Sequence, residues 1–576
     1  MDTWAIWSSH LSERKKPRQP ESLFSTRRPP LLWALTEGVE DRGTPELIER
    51  LGRLGKKRET TDARLEEDAS LWMAEAAASG HDAGYGFESV AWAAALPRLA
   101  SQFAPETWWS LLRHLATSSI EASALPVEKY PLLHQLLAGE TALTLAYLFP
   151  ELPPCRKLAR AGRHAITDGM EELLDGEGLP LAENMPLLRP LLACWTRCRA
   201  LGRHLPKDCF NKFARNQFEW VLCQTLRWMR ADGSQSLATA APEPSPVDWL
   251  AAALEFDEDP NDRRIAAITL PGGKKSDIER ASRHALIESA SHSEWSRAAV
   301  LRPCWSHAKP SLSILYPGRE YLPGREYLPG REYLTELALR RELIWSGPWT
   351  WELSLDGRPL SPIAEWNESC WVSDGDADFL ELEIELTEGV RIQRQMVMAR
   401  DDQFLLAADV ILCSRPGEID YRACLPLVAH IAAEESSETR EIRLAGRRRA
   451  AVVLPLALPE WRCDHRVGTL RRTNDGLELR QKTTGSAMYC PLWFDLDPRR
   501  ASKPLTWRHL TVAESLETQP PEVAAGYRVR VGDEQWLIYR SLANRANRTL
   551  LGHNLSSEML VARFADGEVE TLVETE

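Results

Sequence analysis

The sequence lacks any segment that would carry the chain into or across a membrane. Its N-terminus has no continuous apolar stretch and no small-residue cleavage site, and no later segment approaches ~18 uninterrupted apolar residues. Its eleven cysteines are an odd number without CxxC spacing, and most lie in apolar or helical runs. Cysteine used as a small buried hydrophobe is typical of a reducing compartment. The sequence therefore predicts a cytoplasmic protein with no membrane partner.

An excess of basic residues is also missing. The chain has 70 Lys and Arg residues against 83 Asp and Glu residues, which gives a formal net charge of -13 at pH 7. General binding to nucleic acid needs a basic footprint, so we expect no nucleic-acid partner. A local basic groove is compatible with this charge balance.

The motifs that commonly hold cofactors are absent as well. The sequence contains no GxGxxG, GxxxxGK[ST] or GxSxG, so it gives no support for a nucleotide enzyme or an α/β-hydrolase. The alternating aspartates from Asp374 resemble a calcium loop, but Phe379 stands where an EF-hand needs glycine. Cys194 and Cys198 lack the further ligands of a zinc site in the sequence around them. We therefore expect no cofactor and no bound metal.

The length and the apolar spacing predict a helical first half. At 576 residues the chain is too long for one hydrophobic core, because single cores stop growing at roughly 250 to 300 residues. Residues 1–65 are broken by Pro, Arg and Lys clusters and are predicted to form an irregular leader. Over residues 66–295, apolar residues recur at three- and four-residue spacing, which predicts antiparallel helices. The main helix candidates are 106–118, 132–148, 185–201 and 209–229.

After Leu301 the apolar period changes from 3.6 to 2. The run from Leu380 to Leu386 alternates over seven residues, which predicts a strand with one buried and one solvated face. Three identical copies of Pro-Gly-Arg-Glu-Tyr-Leu at 317–334 predict a lengthened hairpin loop that tolerates deletion. Many short strands with few helices predict an antiparallel β-sandwich over 296–576. The later strand candidates are 390–398, 404–412, 440–444, 451–456, 477–480, 527–531, 535–539 and 559–564.

Several short motifs are spread over both halves of the chain. They are Asp175-Gly-Glu-Gly178, Cys194-Trp-Thr-Arg197, Arg215-Asn-Gln217-Phe-Glu-Trp220, Asp232-Gly-Ser234, Ser306-His307, Arg391-Ile-Gln-Arg394 and Arg563-Phe564. With the order of the domains, they resemble the heparinase II/III-like polysaccharide lyases. The resemblance implies an α+β multidomain fold, with an incomplete α/α toroid followed by an antiparallel β-sandwich. It also implies β-elimination on an acidic polysaccharide, in a cleft between toroid and sandwich.

The chain departs from the pattern of that family at the residues that carry the chemistry. In the sandwich, His307 matches the first histidine of a His-Ala-His-Pro-Asp-like segment, but Lys309 and Ser311 replace the second histidine and the aspartate. Neither replacement readily binds zinc, because lysine is protonated at neutral pH and a serine hydroxyl is a poor donor. The helical half offers no Tyr/His pair that the sequence can identify. His307 is therefore the one candidate catalytic residue, and a structural histidine is the alternative.

A set of arginine, glutamine and tryptophan residues predicts a sugar-binding groove in the helical half. Arginine forks bind carboxylate or sulfate groups, and indole faces stack on sugar rings. Trp220 and Arg227 are two helical turns apart and share a face, as do Gln217 and Trp220. Arginines on the solvated side of amphipathic helices are the alternative reading. The candidate substrate-binding residues are Arg197, Gln217, Trp220, Arg227 and Arg230.

Three functions follow from these observations. The first is a lyase-type enzyme or its derivative that acts on an acidic polysaccharide or glycoconjugate. The second is a catalytically inactive carbohydrate-binding protein on the same scaffold, and the third is a protein-interaction scaffold, because fold does not imply function. The cytoplasmic prediction favours the second and third functions over an extracellular depolymerase. The oligomeric state is not predicted.

Overall fold

A computed structural model describes the chain as two compact units, Met1–Leu286 and Ile287–Glu576. The described residues are 3–26, 28–36, 39, 42–54, 64–78, 82–238, 247–273, 278–279, 281, 285–318, 333–447, 449–463 and 467–576. The predicted hexapeptide-repeat loop lies largely outside them, at 319–332. The first unit is helical and the second consists of antiparallel strands, so the predicted α+β multidomain fold is confirmed.

Twelve α-helices lie within the described part of the first unit. A π-helical segment, Gln135–Thr141, joins the sixth and seventh into one continuous helix, and none of the described helices has the length and hydropathy to cross a bilayer. The helices are α1 (Thr3–Glu13), α2 (Thr44–Arg53), α3 (Leu65–Ala78), α4 (Ala83–Leu99), α5 (Pro105–Ala122), α6 (Pro131–His134), α7 (Ala142–Leu148), α8 (Pro153–Leu173), α9 (Leu188–Gly202), α10 (Lys212–Arg227), α11 (Val247–Leu254) and α12 (Pro260–Thr269).

Burial divides these helices into two kinds. Every residue of α9 is buried, so α9 forms part of the interior of the unit. In contrast, α8 and α10 bury one face and expose the other, as their apolar spacing predicts. Local caps fix where helices begin: the Asn211 side chain accepts a hydrogen bond from the Ala214 amide, and Asp82 accepts one from Tyr85.

The segment predicted to be an irregular leader contains two helices, α1 and α2. The cluster Lys15-Lys16-Pro17-Arg18 follows the end of α1 at Glu13 and does not prevent that helix. Trp4 and Trp7 of α1 both pack edge-on against the buried ring of Trp108, at centroid distances of 5.6 and 6.4 Å. Burial of these aromatic rings stabilises α1, and local composition alone does not reveal it. The leader therefore belongs to the helical unit.

The second unit begins at Ile287, before the predicted boundary at residue 296. The reason is that its first strand, Ser291–Ser293, pairs with Ala298–Leu301. The strands are β1 (Ser291–Ser293), β2 (Ala298–Leu301), β3 (Ser311–Leu315), β4 (Leu334–Leu339), β5 (Glu342–Pro348), β6 (Thr350–Leu355), β7 (Arg358–Pro359), β8 (Asn367–Ser373), β9 (Ala377–Leu386), β10 (Val390–Ala399), β11 (Phe404–Leu425), β12 (Ala432–Glu435), β13 (Ile442–Ala445), β14 (Arg449–Pro455), β15 (Gly468–Arg472), β16 (Leu477–Asp495), β17 (Leu505–Leu510), β18 (Val512–Glu514), β19 (Glu517–Thr518), β20 (Ala524–Val531), β21 (Glu534–Ser541), β22 (Arg548–Leu550), β23 (His553–Leu555), β24 (Met559–Ala565) and β25 (Glu568–Thr575).

The sheets of this unit pack in layers around a large central sheet. The central sheet has the order β12-β13-β14-β16-β11-β10-β9-β8, with β6, β7 and β15 paired at its sides. One face packs in a core with the sheet β1-β2-β3-β4-β5, and the opposite face packs in another core with β17-β20-β21-β24-β25. The sequence predicted a solvated face on β9. Glu385 does face solvent, but Glu381 is 7% exposed because the central sheet is covered on both sides.

Candidate functional site

Arg197, a predicted substrate-binding residue, lies on α9 inside the helical unit. Its side chain is 4% exposed, and its Nε and Nη2 donate to the two carboxylate oxygens of Glu140 at 2.6 and 2.8 Å. Its Nη1 donates to the carbonyl oxygen of Pro30 at 3.1 Å. A ligand at the surface cannot reach this guanidinium, so Arg197 is a structural residue and not part of a groove. Spacing along α9 could not identify Glu140, which is 57 residues away in the sequence.

Gln217, the second predicted residue, is also buried, and it holds a loop against α10. Its Nε2 donates to the carbonyl oxygen of Asp175 at 3.3 Å, and Gln224 donates in the same way to Glu177. Gly178 in this loop has φ +82°, and a Cβ there would lie 2.4 Å from the backbone nitrogen of Val221. The Asp175-Gly-Glu-Gly178 motif is therefore a close contact between loop and helix. Gln217 positions the loop and does not line a groove.

Trp220 and Arg227 lie on the outer face of α10, as their spacing predicted. The Trp220 side chain is 44% exposed, and Phe213, one heptad earlier, is 40% exposed. Arg227 follows one heptad later and is half-buried. Residues seven apart drift by only ~20° around a helix, so the three side chains form one stripe. We call Phe213, Trp220 and Arg227 the α10 stripe; Phe213 was not among the residues predicted from the sequence.

Arg230 lies just beyond the end of α10, in a tight turn. Its backbone amide donates to the carbonyl oxygen of Ser234 at 2.8 Å, and its Nη1 donates to the Ser234 hydroxyl at 3.0 Å. The Asp232 side chain accepts from the amide of Ser234 at 2.8 Å and closes the same turn. Arg230 is half-buried, and its described contacts stabilise the turn that follows the stripe.

A buried acidic residue lies behind the stripe. Burial raises the pKa of Asp262 to about 7, and the nearby carboxylate of Asp257 raises it further, while the positive charge of Arg227 opposes the shift. Burial also raises the pKa of Asp257. Both carboxyl groups therefore keep their protons to a higher pH than ordinary aspartates do. Arg227 is half-buried and lies close enough to Asp262 for its positive charge to favour the ionised carboxylate.

His307, the candidate catalytic residue, lies in the connection between β2 and β3. It occupies a turn and is half-buried, and its Nδ1 is 3.5 Å from Nη2 of Arg302. The Arg302 guanidinium is 1% exposed and donates to the carbonyl oxygens of Trp305 and Cys304. His307 is placed by a buried arginine, and its catalytic role stays a prediction.

Within the described residues, two hydrogen-bonded Tyr–His pairs exist that were not predicted from the sequence. In the helical unit, the Tyr85 hydroxyl lies 2.9 Å from His114 Nε2 and 2.9 Å from the Ser118 hydroxyl. Tyr85 is 2% exposed and stacks on Trp72 at a centroid distance of 5.1 Å. Burial raises the pKa of the Tyr85 hydroxyl. This pair belongs to the packed interior, and its members are 29 residues apart in the sequence.

The second pair lies in the β unit, next to the repeat. His292 Nε2 lies 2.9 Å from the Tyr316 hydroxyl, and His292 Nδ1 lies 3.4 Å from Glu368 Oε2. Burial lowers the pKa of His292 to about 4 and raises that of Tyr316. Tyr316 is 1% exposed. A carboxylate, a neutral imidazole and a phenol are thus aligned, yet the phenol is closed off from solvent.

One group within the described residues brings three metal-binding side chains together. The ligand atoms of Glu140, Cys194 and Cys198 all lie within 4.8 Å of one another, and all three residues are buried. The two oxygens of Glu140 already accept hydrogen bonds from Arg197. Burial raises the pKa of both thiols, so both keep their protons at neutral pH. The arrangement fits a neutral thiol pair beside a buried ion pair. A structural zinc site needs four ligands, and this group has three.

Comparisons with solved structures identify the fold. A protein described as heparinase III superposes with a TM-score of 0.58 and 9% identity, over 87% of this chain and 80% of that one. The heparan sulfate lyase HepC from Pedobacter heparinus superposes with a TM-score of 0.54 and 11% identity, over 94% and 95% of the two chains. No protein-family model and no curated protein matches the sequence. The chain therefore has the fold of the heparinase III-type polysaccharide lyases, as its motifs and domain order predicted.

Proposed function

We propose that this chain binds an acidic polysaccharide along α10 and no longer cleaves it. The observation that carries the proposal is the α10 stripe, which places two exposed aromatic rings and one arginine in a line on a single helix face. The fold is shared with a heparan sulfate lyase, which makes an acidic glycan the natural ligand class to test. The stripe supplies both kinds of contact that such a glycan needs.

The dimensions of the stripe suit an extended ligand. Phe213 and Arg227 are fourteen residues apart, which corresponds to ~21 Å at 1.5 Å per residue. Phe213 and Trp220 offer flat apolar faces for sugar rings, and the Arg227 guanidinium can bind a carboxylate or sulfate through two parallel hydrogen bonds. Trp220 borders the loop that Gly178 allows to approach α10, so this part of the surface is rigidly supported.

The loss of cleavage is supported by the positions of the acid–base candidates. Elimination needs a group that removes a proton next to the carboxylate and a group that protonates the leaving oxygen. Within the described residues, the hydroxyl groups of the two hydrogen-bonded Tyr–His pairs are closed to ligand, since Tyr85 is 2% and Tyr316 is 1% exposed. His307 lacks the neighbouring histidine and aspartate of the lyase segment. A binder that has kept the fold and lost the chemistry accounts for these features together.

Calorimetry against uronic-acid and sulfated oligomers, combined with an ultraviolet assay for the unsaturated product, tests the proposal. We expect binding that weakens as salt rises, because charge attraction is screened over ~8 Å at physiological ionic strength. Trp220→Ala and Arg227→Ala should each weaken binding, the latter by about 1.5 to 3 kcal/mol. The matched controls are Trp295→Ala, whose side chain is 46% exposed in the other unit, and Arg215→Ala, which is exposed on another face of α10.

The outcomes separate the three predicted functions. Binding without product, lost in the Trp220 and Arg227 variants and kept in the controls, supports the proposal. Formation of the unsaturated product would replace it with a lyase activity. Silence across the whole panel would leave the protein-interaction scaffold. Binding that survives both stripe variants would place the ligand elsewhere and overturn the assignment to α10.

A further inference from the structure

A second, more strongly charged surface lies elsewhere in the helical unit. A cleft of about 940 Å³ opens where α7 ends and α8 begins, between residues 16–23 and the turn that follows α9. None of its lining residues lies on α10. Six Lys and Arg side chains and one histidine line it: Lys16, Arg18, Arg156, Arg160, Arg163, Lys207 and His204.

The positive charge in this cleft is not balanced by carboxylates. Glu151 is the one acidic residue of the lining, and it is already paired with Arg14 at 3.1 Å and with His10 at 3.2 Å. Within the described residues, none of the six Lys and Arg side chains forms an ion pair. Such a concentration of cations is notable in a chain whose formal net charge is -13. Six like charges around one cavity repel each other, and an anionic ligand would relieve that repulsion.

Helix α8 contributes three of the six Lys and Arg side chains that line the cleft. Arg156, Arg160 and Arg163 follow at intervals of four and three residues, so they lie on one face. The N-terminus of this 21-residue helix, at Pro153, carries the positive end of its dipole and follows the lining residues Pro150 and Glu151 in the chain. Arginine forks match phosphate and sulfate oxygens through paired hydrogen bonds. Three forks on consecutive turns can therefore hold several oxyanion groups of one ligand.

The remaining wall of the cleft is apolar. Tyr147, which is 7% exposed, lies beside His204 at a ring-centroid distance of 6.1 Å. Leu23 and Leu205 complete this wall. The cleft volume falls within the range of about 300 to 1,000 Å³ that is typical of small-molecule sites. Such a site suits a compact ligand with a ring body and charged substituents.

We infer that this cleft binds a compact, ring-bearing ligand with two or more phosphate or sulfate groups. The ring body packs against Tyr147 and Leu205, and the oxyanions are held by the α8 arginines together with Lys16, Arg18 and Lys207. A neighbouring cavity of about 520 Å³ shares Pro17, Arg18 and Ser22 with the cleft and adds cations from Arg14, Lys15 and Arg98. The site is separate from the α10 stripe and does not depend on the proposed polysaccharide binding.

Calorimetry on the full-length chain tests this site with three probes. Inositol hexakisphosphate carries several phosphate groups on a ring, and sucrose octasulfate carries several sulfate groups. Inorganic phosphate, with one oxyanion group and no ring, is the control. We expect saturable binding of at least one ring probe, much weaker binding of inorganic phosphate, and an affinity that falls steeply with salt. Preference for the first or the second ring probe identifies phosphate or sulfate as the chemistry of the natural ligand.

Charge-reversal variants locate the binding. Arg160→Glu should lower the affinity roughly 10- to 100-fold, because it removes a charge-assisted contact and adds repulsion. Lys207→Glu, from a different element, should lower it as well and guards against a local effect on α8. Lys157→Glu is the matched control, since Lys157 is exposed on the same helix and does not line the cleft.

Three results would overturn the inference. They are failure of both ring probes to bind, equal loss in the Lys157 and Arg160 variants, and unchanged affinity in both cleft variants. We expect Trp220→Ala to bind the ring probes as the wild type does. This variant therefore distinguishes a failure of the proposed polysaccharide site from a failure of the cleft. Unchanged thermal midpoints of the variants establish that they are folded.

Discussion

Two arginines of α9 are paired with carboxylates, whereas those of α8 line a cleft, although the two helices lie in the same unit. On α9, Arg197 is paired with Glu140, and Arg199 donates to Asp208 at 3.1 Å. On α8, Arg156 and Arg160 are exposed in a cleft whose single carboxylate already has other partners. The first set stabilises the fold and the second is available to a ligand. Helix periodicity is similar in both, so the position of the helix in the unit decides the role of the charge.

The largest test of this comparison is to break the buried pair. Arg197→Ala leaves the Glu140 carboxylate buried without its cation, and we expect a loss of about 3 to 5 kcal/mol in the free energy of unfolding of the helical unit. Denaturant titration followed by the helical circular dichroism signal measures it. Arg156→Ala is the control and should change the value by less than about 0.5 kcal/mol. A loss below 1 kcal/mol for Arg197→Ala would contradict the structural role assigned to it.

The next test uses the buried carboxyl group behind the α10 stripe. The pKa of Asp262 is raised to about 7 in the folded chain from an ordinary value of 3.8. The folded state therefore binds this proton more tightly than the unfolded state, and stability should fall as the pH rises from about 4 to about 7. Each pKa unit corresponds to about 1.36 kcal/mol, so the loss is at most about 4 kcal/mol.

Asp262→Asn isolates this contribution. The amide cannot ionise, so the variant should gain stability relative to the wild type above pH 7 and lose that advantage below pH 4. Urea titrations at pH 4, 6 and 8 give the comparison. Asp259→Asn is unsuitable as a control, because the Asp259 carboxylate itself raises the pKa of Asp262. Asp248→Asn, on α11, is the cleaner control. A stability difference that is independent of pH would show that Asp262 is ionised in the folded chain.

A smaller effect is expected where the loop meets α10. Gly178→Ala forces a Cβ to 2.4 Å from the Val221 nitrogen at a φ of +82°, and we expect a loss of about 1 to 3 kcal/mol. Gly176→Ala in the same loop meets nothing within 4 Å and should be neutral or slightly stabilising. Thermal unfolding compares the two. Equal effects would mean that the loop does not rest on α10 as described, and that Trp220 lacks the support assigned to it.

The smallest expected effect concerns the cleft cations. Arg160→Ala removes one of several like charges, so the free energy of unfolding should be unchanged at high salt and higher by up to ~0.5 kcal/mol at low salt. Thermal melts at two ionic strengths measure this difference. Arg215→Ala on α10 should show no such salt dependence. Destabilisation of Arg160→Ala at low salt would mean that the cleft arginine has an internal partner and belongs with those of α9.

The sequence predicted the secondary structure far better than the partners of its polar residues. The period of 3.6 led to α5, α9 and α10, and the alternation from Leu380 to Leu386 led to β9, because these patterns are set by neighbours along one element. The shared face of Trp220 and Arg227 followed from their seven-residue spacing. Phe213 belongs to the same stripe, and the same spacing argument could have found it.

The missing parts of the candidate sites depend on contacts between distant segments. Glu140 and Arg197 are 57 residues apart, and His292 and Tyr316 are 24 residues apart. The basic cleft combines residues from the N-terminal segment, α8 and the turn after α9, and each group alone reads as ordinary solvated charge. No local sequence pattern predicts such contacts, because hydrogen bonds and ion pairs between elements depend on how the elements pack.

The sequence by itself determined that a helical half precedes an antiparallel β half, since apolar periodicity follows directly from the geometry of each element. The resemblance also predicted, from residue types alone, that Lys309 and Ser311 stand where the lyase segment has its second histidine and its aspartate. Only the tertiary structure decided which arginines are structural and which line a cleft. The reason is physical: a guanidinium pairs with a carboxylate of the protein or is exposed to a ligand according to the carboxylates and the solvent around it. Those surroundings are set by segments far away in the chain.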